Sequence, residues 1–115
     1  MKRGKVVLTP FPFTDLTGSK VRPAVIVSAD SRRGLDVIIA FISSVFDPAN
    51  LQPTDGLLQS SDPDFPATGL KANSVFKMDK LATVSRAIIL GELGDLPPTL
   101  QAKLDDKLKL ALDLK

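Results

Sequence analysis

Short apolar runs broken by proline and glycine occupy the first part of the chain, and a stripe of leucines occupies its end. Residues 5–8 form a β-branched run that stops at Thr9-Pro10, and Pro10 and Pro12 keep the backbone extended through Phe13. Residues 23–28 (PAVIVS) and 37–42 (VIIAFI) lack polar alternation, which predicts strands covered on both faces. Turn chemistry around Gly18 and a connection through Gly34 link these runs, so residues 1–44 read as an antiparallel meander.

Residues 47–72 contain Pro48, Pro53, Pro63 and Pro66 with Gly56 and Gly69, too many breakers for a helix but room for one short strand near 55–59. In residues 73–81, Val75, Lys77 and Asp79 alternate with Ser74, Phe76 and Met78, so polar and apolar side chains do not segregate cleanly. The segment still reads as a strand, whereas residues 88–93 fit a strand or a helical turn equally. Pro97-Pro98 suits a first helical turn, and Leu100, Leu104, Leu108, Ala111 and Leu112 lay one apolar stripe along about four turns. The pattern predicts a mostly β, α+β domain whose sheet is capped by a C-terminal helix.

The chain has 115 residues, 43% hydrophobic and 24% charged, close to the soluble globular average, so a single domain over 1–115 is expected. No apolar run approaches a membrane span, and no basic, apolar and small-residue succession marks export, so a cytoplasmic location is expected. Cysteine and histidine are both absent, which excludes disulfide scaffolds, zinc ribbons and every imidazole-dependent dyad or triad. Residues 1–33 carry seven basic side chains against Asp15 and Asp30, while the remaining eight basic and eleven acidic residues sum to −3. An anionic partner is drawn to the N-terminal part if folding gathers those cations on one face, and an ordinary solvated surface is the alternative.

The most informative stretch runs from Arg3-Gly4-Lys5 through Thr9-Pro10-Phe11-Pro12-Phe13 to Lys20-Val21-Arg22-Pro23-Ala24-Val25-Ile26. It resembles the N-terminal signature of the MazF/PemK (Kid) toxins of bacterial toxin–antitoxin pairs. The likeness continues through Ala40-Phe41-Ile42-Ser43-Ser44 and residues 74–84, and in outline to the final helix. It implies a small SH3-like antiparallel β-barrel, a homodimer, metal-independent cleavage of single-stranded RNA without any cofactor, and a cognate antitoxin whose flexible, often acidic segment blocks the RNA groove.

Cleaving RNA without a metal requires the substrate's own 2′-hydroxyl as nucleophile, stabilisation of charge on a five-coordinate phosphorus, and a proton for the departing 5′ oxygen. Arg22, with its backbone restricted by Pro23, is the first candidate to face that phosphate, although an arginine paired with a carboxylate at a strand start is the plainer account. Ser43 matches the family's Thr/Ser position, and a Ser43-Ser44 pair equally suits a turn cap. Lys77 and Asp79 are two apart in a strand and combine a cation with a carboxylate base, or form an ion pair. Catalytic roles are thus expected for Arg22, Ser43 and Asp79, and RNA contacts for Lys20, Ser44, Lys77 and Phe13, with burial competing for Phe11 and Phe13. Two departures from the family stand out: some relatives have a histidine in the first loop and an Arg-x-Asp where this chain has Lys77-Met78-Asp79.

The same barrel also carries the CcdB toxins, non-enzymatic gyrase poisons that act through the terminal helix, so a fold does not fix the function. Leu110 and Leu114, off the apolar stripe, are what this chain offers for that alternative. A degenerate SH3-like module that binds nucleic acid or protein without turnover is the third reading.

Overall fold

The computed structural model describes residues 1–11 and 20–115, and of Phe11 the backbone alone. Phe13 and most of the expected first loop therefore lie outside the described residues. Six strands form one antiparallel sheet in the order β4-β5-β3-β2-β1-β6: β1 (Lys5–Phe11), β2 (Lys20–Ile26), β3 (Asp36–Ser43), β4 (Asp55–Leu58), β5 (Ser74–Ser85) and β6 (Gly91–Asp95). The first three are the expected meander.

The unsegregated pattern of β5 has a structural cause. Ala40 pairs with Leu81 but Phe41 pairs with Lys77, so residues 78–80 have no partners on β3. This bulge inserts an odd number of residues and inverts the alternation along the strand. Phe76, Met78 and Leu81 consequently all pack into one core, and Ala82 and Val84 into the other. The strand also runs on to Ser85 instead of ending near 81.

Both faces of the sheet carry a core. Val6, Val25, Ala40, Ile42, Phe76 and Met78 join Leu100 and Leu104 of the terminal helix on one face. Val7, Ala24, Ile26, Val37, Ile39 and Val84 meet on the other, covered by Ile88 and Ile89. The continuous apolar runs of β2 and β3 serve both faces at once.

Two one-turn helices interrupt the excursion expected to be helix-free, Pro48–Asn50 of 3-10 type and α1 (Phe65–Thr68), each with proline in its first turn, where no donor is lost. Gly69 ends α1 at φ 71°, and a Cβ there would meet the main chain of Leu93, so this position needs glycine twice over. Residues 86–95 hold both of the forms left open, a 3-10 turn at Arg86–Ile88 and then β6. Helix α2 (Pro98–Leu112) buries Leu100 and Leu104, while Leu112, placed on the expected stripe, is 49% exposed. The helix's first turns are thus buried against the core, and its last turn leaves Leu110 and Leu112 exposed. Arg3 ties α2 to the sheet: its guanidinium takes both Asp105 oxygens at 2.7 and 3.2 Å, and its Nε donates to the Val27 carbonyl at 2.9 Å.

Candidate active site

Proline decides where β2 and β3 part. The Leu8 carbonyl accepts from the Leu90 N–H, so Leu8 directs its main-chain groups toward β6, and its ladder partner Pro23 faces β3. Pro23 has no N–H to offer there, and the β2–β3 ladder ends at Ala24 opposite Phe41. Pro10 likewise faces the β6 side, beyond Leu8, where the β1–β6 pairing has already ended. Beyond the last β2–β3 rung a cavity of about 200 Å³ opens, lined by Arg22, Phe41, Ile42, Ser43, Lys77 and Lys80. A neighbouring cavity of about 250 Å³ shares Arg22, Ile42 and Ser43 with it and adds Pro23, Ser44 and Val45.

Two strands thus bring three cations to one opening. Arg22 comes from the start of β2, Lys77 from the last paired residue before the bulge, and Lys80 from the bulge itself. None of the three forms an ion pair or a side-chain hydrogen bond with a described residue, and among the described residues no carboxylate lines either cavity. The competing account of Arg22, a carboxylate partner at the strand start, finds no counterpart among the described residues. By contrast, Arg3 and Lys5 are occupied: Arg3 by Asp105, and Lys5 by Asp95 at 3.0 Å. The Asp95 hydrogen bond raises the Lys5 ammonium above its ordinary value of 10.5 against the opposing effect of desolvation, with the charges of Asp95 and Glu92 adding to the rise.

Ser43 is half-buried on the wall of both cavities. Its hydroxyl donates to the Val45 carbonyl at 2.9 Å and accepts from the Val45 N–H at 3.1 Å, so it also closes the turn that ends β3. Ser44 is exposed and lines the second cavity. Lys20, opposite Phe11 at the far end of the β1–β2 ladder, is exposed and lines none of these cavities. Asp79 sits in the bulge, exposed and off the cavity wall, while its neighbour Lys80 is on it. Of the pair two apart in β5, Lys77 stands on the cavity wall and Asp79 does not.

Lys80 and the apolar wall of Phe41 and Ile42 were not singled out by sequence. The readable signal for Lys80 was the three-residue step from Met78 to Leu81 between core positions. Among the described residues no three acidic side chains gather as a metal site would require. The arrangement offers a guanidinium, two ammoniums and a hydroxyl around a partly apolar opening, which suits a phosphodiester oxyanion flanked by less polar groups.

Residues 2–112 match the family model of PemK-like, MazF-like toxins of type II toxin–antitoxin systems. No curated protein matches the chain by sequence. Among solved structures, the fold is similar to an endoribonuclease in complex with its cognate antitoxin from a mycobacterial species, with a TM-score of 0.75 and 24% identity over 100% of this chain and 97% of that one. It is similar to the Mycobacterium tuberculosis toxin MazF-mt6, with a TM-score of 0.72 and 20% identity over 98% and 99% of the two chains. It is also similar to a MazE–MazF structure from Deinococcus radiodurans, with a TM-score of 0.73 and 19% identity over 100% and 98%.

Proposed function

Because this chain belongs to the PemK-like, MazF-like toxins of type II toxin–antitoxin systems, we propose that it is an endoribonuclease that cuts single-stranded RNA at the cavity between β2 and β3. The observation that carries this reading is the convergence of Arg22, Lys77 and Lys80 on an opening that also holds the Ser43 hydroxyl and, among the described residues, no carboxylate. A site so charged attracts a phosphodiester and is suited to stabilise the additional negative charge of its transition state. The solved relative described as an endoribonuclease supports the same reaction class.

In the reaction, the ribose 2′-oxygen attacks the adjacent phosphorus and gives its proton to water. The bond from phosphorus to the 5′ oxygen breaks, and that oxygen takes a proton from water, leaving a 2′,3′-cyclic phosphate and a 5′-hydroxyl. Arg22 holds two non-bridging oxygens with its planar fork, and Ser43 donates to one of them by turning its hydrogen away from Val45. Lys77 and Lys80 neutralise the flanking backbone. The reaction requires no metal or cofactor. The toxin acts in the cytoplasm as a homodimer, and a cognate antitoxin with an acidic segment competes with RNA for the same cations, as suits a family whose solved members include antitoxin complexes.

The test is cleavage of total RNA in EDTA by the parent and by Arg22→Ala, with the cut ends mapped. Cyclic phosphate ends from the parent alone support the reading. Intact RNA together with inhibition of gyrase would transfer the function to the terminal helix, where Leu110 and Leu114 are exposed.

A further inference from the structure

Thr9 is a buried polar residue that the reaction above does not use. Its relative exposure is 0%, like that of Val6 and Val7, the other side chains that β1 buries among the described residues. Its hydroxyl has one partner among those residues, the carbonyl of the adjacent Pro10, at 3.5 Å. Hydroxyl hydrogen bonds ordinarily run at about 2.7–2.8 Å, so this contact is weak, and the oxygen accepts nothing from a described residue. A valine would fill the same space without the cost of burying a poorly satisfied hydroxyl.

The cross-strand neighbour of that hydroxyl is Arg22. The two are register partners in the β1–β2 ladder, two residues along from Val7 and Ala24, which belong to the core that Phe41 joins. Because Leu8 turns its main chain toward β6, Thr9 turns its own toward Arg22, and such a rung sets the Cα atoms about 5.5 Å apart with both side chains on one face. The fit is chemical as well as positional. An arginine carries five N–H donors and no acceptor, and those of Arg22 have no partner among the described side chains or carbonyls, whereas Thr9 holds an unused acceptor. Main-chain pairing fixes where the Arg22 stem begins, but the side chain is exposed and no described contact fixes where its fork points.

Resting on the nuclease reading above, we propose that Thr9 is a positioning residue for Arg22: when a phosphate draws the guanidinium into the cavity, the Thr9 oxygen accepts its Nε–H and leaves the two Nη groups to hold the phosphate as a fork. Thr9 acts through Arg22 and touches no RNA. Fixing the fork at Nε aims it at the oxygens on which charge develops, so the gain falls on the chemical step more than on RNA affinity.

Thr9→Val, which keeps the shape and removes the oxygen, tests this in single-turnover cleavage of a short RNA. The rate at saturating RNA is expected to fall about tenfold, with the half-saturating concentration within about threefold of the parent's, while the urea midpoint stays level or rises. Thr9→Ser restores the oxygen and should regain most of the rate. On an Arg22→Ala background, Thr9→Val should cost nothing further. A merely structural Thr9 would lower midpoint and rate together and add its loss to that of Arg22→Ala; that pattern, or a Thr9→Val rate within about twofold of the parent's, overturns the proposal. A second readout does not depend on cleavage: the Arg22 Nε–H resonance, identified by its loss in Arg22→Lys, is followed by nitrogen-15 NMR in the complex with a 2′-fluoro decanucleotide, which lacks the nucleophile. Its exchange with water should be at least about fivefold faster in Thr9→Val than in the parent. Faster exchange in a protein that binds RNA without cutting it would leave the contact standing and remove the nuclease reading. Cleavage by the parent with exchange unchanged in Thr9→Val would do the reverse. If the parent neither binds nor cuts RNA, both fail.

Discussion

Arg22 and Ser43 stand on the wall of one cavity although they come from different strands, because the β2–β3 ladder stops at the rung between Ala24 and Phe41. Had the ladder continued past Pro23, main-chain hydrogen bonds would fill the space in which a phosphate is proposed to sit. The site is a by-product of an interrupted sheet, with its polar groups held at the two ends where pairing ceased.

Removal of the guanidinium should be the most damaging single change to activity. Arg22→Ala is expected to lower the cleavage rate on a short RNA by about 100-fold or more, the usual cost of losing a preorganised oxyanion partner. Arg22→Lys should recover only part, since an ammonium lacks the bidentate fork. Single-turnover rates in EDTA decide this, and a rate for Arg22→Ala within threefold of the parent would remove Arg22 from the mechanism.

Ser43 has two duties, and substitution separates them. Ser43→Thr keeps the hydroxyl that binds Val45 and should retain near-parental cleavage, whereas Ser43→Ala should lose about tenfold in rate and about 1 kcal/mol in stability. Urea unfolding alongside the kinetics shows whether the rate loss exceeds what unfolding explains.

Charge in the bulge is predicted to act through Lys80 and not through its neighbour. Lys80→Ala and Lys77→Ala should each reduce the salt dependence of RNA binding by about 0.7 in the log–log slope, the value for one phosphate contact on a single strand. Asp79→Asn should leave cleavage within about threefold of the parent. A hundredfold loss in Asp79→Asn would mean that the carboxylate reaches the substrate from outside the cavity wall.

The Arg3–Asp105 pair is bidentate but part-exposed, with side-chain exposures of 29% and 33%. Its coupling in a double-mutant cycle should be about 1 kcal/mol, at the upper end for surface pairs. Arg3→Ala should cost more than Asp105→Ala, because Arg3 also donates to the Val27 carbonyl. Denaturant midpoints of the two single variants and the double variant measure it.

Packing under the helix is tested by Leu104→Ala, which removes a side chain 1% exposed and should cost about 2–5 kcal/mol. Leu112→Ala, at an exposed site on the same nominal stripe, should change stability by less than about 0.5 kcal/mol. Equal losses at both positions would mean that the last turn of α2 is covered in solution.

Much of the fold was legible from local pattern. Apolar runs placed β2 and β3, proline and glycine bounded the excursion, and the leucine period placed α2, since burial on a strand or a helix imposes a spacing that a sequence records directly. The bulge in β5 was visible only as an irregular alternation at Lys77 and Asp79. Its meaning depends on which residues of β3 face it, a long-range pairing that no local spacing encodes.

The chain's own order of residues determined that the protein would be mostly β with a capping helix, that it would work without thiol or imidazole, and that its positive charge would lie forward. Tertiary structure alone decided which of those charges remain available. Folding ties Arg3 to Asp105 and Lys5 to Asp95, and sets Lys77 and Lys80, from the acidic remainder of the chain, beside Arg22. Coulomb attraction acts through space and not along the sequence, so the electrostatics of the site exist only once the strands are paired.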